Sequence, residues 1–233
     1  MDIVGASAGT MALRSPNSVS LAAKNTNHML PSDRFNSAWR AVSEVRECSV
    51  SDVDAFIQAH YLGKRPAIVT LALKMFVRSA PVGAVVYAMP PPETAKRYGG
   101  LTWELARLYL LDEIPRNAET WLIAQSVRCI KRHFKAVQYL VSYADPAAGH
   151  TGTIYRAANW KQDGSTDDER KTPRSDYVDT VSGKKYGRAG NVPAHSSIER
   201  RPRIAKFWFV LKIQDRPACE RIENAQRQAR MFA

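Results

Sequence analysis

Acidic side chains are the scarce class in this sequence: 22 Asp and Glu stand against 34 Lys and Arg, a formal net charge of +12 over 233 residues. A surface of that sign attracts polyanions over distances set by ionic strength, so nucleic acid leads the partner classes. Cysteine is scarce as well. Cys48, Cys129 and Cys219 are odd in number and far apart, which argues against a disulfide framework or a dense zinc site and suits a reducing cytoplasm. No stretch approaches 18 apolar residues, and the start lacks a basic segment followed by an apolar one. Neither membrane spanning nor secretion is therefore expected. What is present, a hydrophobic fraction of 45%, is enough for one domain with a core, plus tails.

Residues 1–34 are rich in Ser, Ala and Asn and are expected to form a disordered tail before a folded part over residues 35–213. Ser51–Tyr61 predicts a helix, with Ser51 as its cap, Asp52 and Asp54 at the positive end of its dipole, and Gly63 and Pro66 as its stop. Ala67–Val77 is strongly apolar, Pro81–Ala88 reads as a buried strand, and Met89–Pro92 reads as a loop. Trp103–Leu111 reads as a strand and Ala118–Phe134 as an amphipathic helix with a basic end. Val137–Ala144 is the next strand, Thr151–Asn159 the next helix, and Ala205–Ile213 the last strand. A charged C-terminal helix is expected within residues 214–233. This alternation is an α/β pattern. Residues 161–203 are too polar and too long for an ordinary connection, and they read as a basic insertion.

The run Leu140–Trp160 concentrates the chemical signals. A buried strand ends at Asp145, a turn with Pro146 and Gly149 follows, and a helix begins near His150–Gly152. Ligands of α/β sheets gather at the carboxyl ends of strands, and a helix start offers unpaired amides to an anion. The same residues also suit a plain turn in which Asp145 caps the helix.

This strand–turn–helix resembles the core of GNAT transferases, although Asp145-Pro146 stands where acetyl-CoA enzymes of that class carry a cationic start. The block Val141–Asp145 with Gly149-His150, Gly152 and Ile154–Trp160 is similar to the Mom family of phage DNA-modification proteins. So are Leu105–Leu108, Leu110–Asp112 and Pro115–Trp121, and the pair His60-Tyr61. The resemblance implies a GNAT-like single domain, a mixed sheet flanked by helices. It implies a transferase that adds a carbamoylmethyl group to the exocyclic amine of adenine in double-stranded phage DNA, in the cytoplasm of the bacterial host. It places catalytic roles on His60, Tyr61, Arg107, Asp145 and Tyr155, and donor-binding roles on Ser142, Gly149 and Gly152. The donor it implies is not acetyl-CoA. Some family members are associated with iron, for which His60 and Asp145 are the candidate ligands here. A homodimer is left open.

Each candidate has a plainer role beside the functional one. Arg107 lies in an apolar run, where a cation needs a carboxylate such as Asp145 or a ligand to serve. His60 at a helix end also suits the dipole, and Tyr61 and Tyr155 also suit a core. His150 is a turn residue that faces solvent unless the site recruits it. Lys184, Lys185, Arg188, Arg200, Arg201 and Arg203, with Lys206 and Trp208 following, combine cations for phosphate with planar groups for bases, the mixture expected of a DNA contact. Two other functions compete: an acyl-CoA-dependent transferase acting on a protein or small amine, and a basic DNA-binding protein without catalysis.

Overall fold

The computed structural model describes residues 39–98, 101–168, 170–172, 174–187, 191–194 and 197–214. The expected N-terminal tail and C-terminal helix, and Arg188, lie outside these residues. The apolar runs pair into one seven-stranded sheet, and their order in it follows from how each is connected. β1 (Ser43–Glu47), β2 (Val69–Val77), β3 (Ala80–Ala88) and β4 (Thr102–Leu110) form an antiparallel meander. Only Arg78 and Ser79 separate β2 from β3, and both have positive φ, as a two-residue hairpin turn requires. The long helix α3 (Ala118–His133) then carries the chain across, so β5 (Tyr139–Ala144) runs parallel to β4. β10 (Phe207–Lys212) and β6 (Lys161–Ser165) complete the order β1-β2-β3-β4-β5-β10-β6.

Both faces of the sheet are covered. Leu73, Met75, Val85, Tyr87 and Leu140 pack with Leu122, Ile123 and Ile130 of α3. On the opposite face Ala72, Ala84 and Val86 meet Val53 and Ile57, the latter from the short helix α1 (Asp54–Ala59). This double coverage explains why β3 is apolar almost throughout rather than alternating.

The divergence of β4 and β5 sets up the site. They pair over only three positions, Thr102↔Tyr139, Trp103↔Leu140 and Glu104↔Val141. Beyond Glu104, β4 stays with β3, where a bulge inserts Ala106 between Leu105↔Tyr87 and Arg107↔Val86. β5 meanwhile stays with β10 through Ser142↔Phe209 and Ala144↔Phe207. The sheet therefore opens in its middle.

Several expectations change at this level. Ser51 does not cap the first helix. The chain enters through a tight turn at Ser51–Val53, and Ser49 and Asp52 bond reciprocally: Ser49 N–H and Oγ–H donate to Asp52 Oδ2, at 3.0 and 2.6 Å. Pro92 opens a helix, α2 (Pro92–Tyr98), because the first helical position needs no N–H. The helix after the turn is only α4, Thr153–Ala157. Within residues 161–203, β6 joins the main sheet, and β7 (Ser175–Asp179), β8 (Lys185–Tyr186) and β9 (Ile198–Pro202) form a separate antiparallel sheet, a small arm ordered β8-β7-β9.

Gly152 ties the turn to the core. Its φ is +83°, and an added Cβ would sit 2.2 Å from Cζ of the fully buried Phe209. Gly149 has φ +78° and open space around it. Gly152→Ala is expected to lower stability by the backbone strain plus about 1–3 kcal/mol of overpacking, whereas Gly149→Ala carries the strain alone. Denaturant titrations of the two variants check the order, and equal losses would contradict it.

Candidate active site

Where β4 and β5 separate lies a cleft of about 270 Å³, near the lower end of the roughly 300–1,000 Å³ usual for small-molecule sites. One wall is Glu104–Leu108 of β4, and the other is Ser142–Ala144 of β5. Residues 149–155 and His60–Leu62, just after α1, form its rim. Five consecutive residues of β4 reach the cleft because the bulge at Ala106 breaks the strand's alternation.

Ser142 sits at the apex. Beyond Glu104 the β4 backbone has no β5 partner, and the buried Ser142 hydroxyl substitutes for one, donating to the Leu105 carbonyl at 2.8 Å. The Tyr155 hydroxyl is 2.7 Å from the same Ser142 oxygen. One proton cannot serve both neighbours. The carbonyl can only accept, so it takes the serine proton and the Tyr155 O–H points back at Ser142. Burial pushes the Tyr155 pKa up to about 12, so the phenol stays protonated. Its ring packs against Trp160 and Phe209, with centroids 5.5 and 5.2 Å away.

His60 follows α1 in an extended conformation. Its Nδ1 accepts the Leu62 N–H at 3.2 Å, so the single proton of the neutral ring is on Nε2. Burial, then the charges of Arg107 and His150, hold its pKa down to about 4. Tyr61 lies between two imidazoles, with centroids 4.4 Å from His60 and 4.9 Å from His150. His150 is thus part of the cleft rim and not merely a solvent-facing turn residue.

Arg107 does not pair with Asp145. Its guanidinium donates to the Lys64 carbonyl at 2.9 Å and the Ala106 carbonyl at 2.5 Å, holding the segment after α1 against β4. Asp145 instead accepts the Ala147 N–H at 3.0 Å and meets the Lys206 ammonium at 2.8 Å, and it is not among the residues lining the cleft. The capping role is the one its geometry fills, with its charge paired to Lys206. Ser142, Gly149 and Gly152 all line the cleft. The helix behind that turn has only five residues, too few for a substantial dipole to sum. Among the described residues no three His, Cys, Asp or Glu side chains converge. His60 lines the cleft and Asp145 does not, so the expected His60–Asp145 pair is not brought together there as a pair of iron ligands.

The basic cluster lies on and beside the arm. Arg201 pairs with Glu199 and Arg203 with Asp176, each at 2.5 Å, and Arg200 donates to Ser175 Oγ at 2.9 Å. The Lys184 ammonium lies 5.2 Å from the Tyr186 ring centroid, and Lys185 is exposed. Trp208 belongs to the main sheet under the Arg97 guanidinium, 4.1 Å from the ring centroid. Among the described residues no helix is long and apolar enough to cross a membrane.

Glu104 was not among the expected site residues, yet it lines the cleft. The signal was available: it is the one carboxylate in the otherwise apolar start of the strand Trp103–Leu111.

The His60 pKa implies a pH dependence of stability. The unfolded chain binds a proton near pH 6.5 and the folded chain only near pH 4. The contribution of neutral His60 is therefore complete above about 6.5 and lost as pH falls from there to about 4. Asn at this position keeps an acceptor for Leu62 and does not titrate. Urea midpoints between pH 7 and 4 should fall less steeply in His60→Asn, and parallel curves would contradict the assignment.

Residues 43–208 match the Mom protein family. The methylcarbamoylase mom of Escherichia phage Mu is 36% identical over 62 residues, 27% of this chain and 26% of that relative's length. Among solved structures, an N-acetyltransferase from Staphylococcus aureus Mu50 is 12% identical, covering 74% of this chain and 99% of its own, with a TM-score of 0.45. The ribosomal-protein-S18-alanine N-acetyltransferase from Escherichia coli is 9% identical, covering 74% and 95%, with a TM-score of 0.44. The α/β architecture expected from the sequence, a mixed sheet flanked by helices, is the one the structure has.

Proposed function

Because this chain belongs to the Mom protein family, we propose that it is a DNA-modifying transferase and that it adds a carbamoylmethyl group to the exocyclic amine of adenine in phage DNA, protecting that DNA from host restriction. The observation that carries this reading is that the family match, residues 43–208, contains every residue lining the cleft between β4 and β5.

The chemistry needs an adenine amine, an electrophilic methylene carbon on a donor, and a dry place for them to meet. The target base must first leave the duplex stack, at a cost on the order of a few kcal/mol. Tyr61, half exposed at the rim beside His60 and His150, offers the exposed part of a three-ring aromatic cluster to the base. The amine lone pair forms the new C–N bond while the bond from the methylene carbon to the donor's leaving atom breaks, its electron pair staying with that atom. The amine also sheds one proton. His60, neutral with its proton on Nε2, suits hydrogen-bond donation to the base or to the donor amide. Tyr155, bonded to Ser142, fixes the floor of the cleft. Outside the cleft, Lys184, Lys185 and Arg200 on and beside the arm suit phosphates, which position the duplex without reading its sequence. Arg201 and Arg203 contribute through charge already shared with Glu199 and Asp176.

Bacteria producing the protein should yield plasmid DNA that, after digestion to nucleosides, contains an adenosine heavier by one carbamoylmethyl group, and that resists enzymes sensitive to adenine modification. Mass spectrometry of the nucleosides is the check. Unmodified adenosine from cells holding soluble, folded protein would contradict the reading, and an acyl adduct on protein or a small amine would favour the acyltransferase.

A further inference from the structure

We propose that Glu104 is the catalytic base of this site, accepting the adenine amine proton as the new carbon–nitrogen bond forms; the assignment rests on the transferase reading above. Three observations lead to it. The first is position. Glu104 is the last residue of β4 in register with β5, opposite Val141, so its side chain stands where the sheet opens, and it lines the cleft. The second is availability. Among the described residues no hydrogen bond or ion pair engages its carboxylate, although it lies near the cations of Arg107 and Lys206. Arg107 directs its donors to two backbone carbonyls, and Lys206 pairs with Asp145.

The third observation is that the other candidate bases are committed. His60 Nδ1 already accepts a backbone N–H, and its conjugate acid is strongly disfavoured. Asp145 caps a turn, holds Lys206 and stands outside the cleft lining. Tyr155 keeps its proton for Ser142. Burial raises the Glu104 pKa above its ordinary value, opposed by Arg107 and Lys206, which makes the carboxylate a better proton acceptor than a solvated one. The groups that interact with it are Arg107 on its own strand, Tyr61 after α1, Tyr143 on β5, Tyr155 on α4 and Lys206 before β10, and His60 and His150 line the same cleft. A carboxylate in this place serves the reaction in two stages. It first accepts a hydrogen bond from the amine, which raises the electron density on the nitrogen. It then takes the proton as the C–N bond forms and the leaving atom departs with its electron pair. Release of that proton to water at the open rim resets the site.

The experiment compares wild type, Glu104→Gln and Glu104→Asp as full-length chains in the same host. The readouts are the rate at which modified adenosine accumulates per soluble protein, the melting temperature, and affinity for plasmid DNA. Glu104→Gln keeps the shape and removes the basicity. It should lower the rate by at least about 100-fold, with melting temperature and DNA affinity unchanged. Glu104→Asp, basic but one methylene shorter, should fall between the two. A wild-type rate in Glu104→Gln overturns the assignment, and so do equal losses in both variants. If Glu104→Gln melts below wild type, Glu104→Asp decides: product above background upholds the base and its absence overturns it. Unmodified DNA from folded wild type instead overturns the transferase reading, and with it this assignment.

Discussion

A backbone that leaves its strand partner must find another for its carbonyls, and the single hydroxyl of Ser142 meets that requirement here. Opening a sheet in its middle strips hydrogen-bond partners from two strands at once, and a buried unpaired carbonyl costs about 1–3 kcal/mol. Ser142 answers the Leu105 carbonyl, and Tyr155 answers Ser142. This three-membered chain joins β4, β5 and α4 at the apex of the cleft. Phe209 completes the wedge from behind: it pairs with Ser142 across β10, packs against the Tyr155 ring, and fills the space a side chain at Gly152 would need. The cleft is thus a consequence of how the sheet is kept open, and the residues that keep it open also form its floor.

The distribution of charge divides the molecule in two. Cations gather on the arm and its base, where several are already held by Glu199, Asp176 and Ser175. The cleft holds one half-buried carboxylate, the neutral imidazole of His60, the His150 ring at its rim and protonated phenols, with Arg107 turned toward backbone carbonyls. A positive exterior suits capture of a polyanion, and a sparsely charged interior suits an uncharged base and a developing proton transfer.

Much of the fold was legible because apolar runs such as Pro81–Ala88 have few alternatives to a buried strand, while Ala67–Val77 read only as strongly apolar and proved to contain its partner β2. β1 was not legible, since Ser43–Glu47 is an edge strand whose polar and charged residues give no apolar period. The region 161–203 read as an insertion because β6 to β9 are short and polar, held by pairing with each other and with β10 rather than by a core of their own. Of the residues expected at the site, His60, Tyr61, Arg107 and Tyr155 line one cleft. Asp145 was placed correctly in sequence but turned away in space, because a proline after it made capping and a pairing with Lys206 its satisfied geometry. Glu104 was passed over although a lone carboxylate at the apolar start of a strand marks it, because its place in the cleft depends on a bulge and on where a strand pairing ends.

The central claim is that the target adenine enters the opening between β4 and β5. Photocrosslinking tests it directly, using the full-length protein and duplex DNA that carries a photoreactive azido-adenine in place of adenine, with the crosslinked peptides mapped by mass spectrometry. The account predicts attachment within residues 60–62, 104–108 or 142–155. Attachment confined to the arm, residues 175–202, would mean that this protein holds DNA without admitting its bases to the cleft.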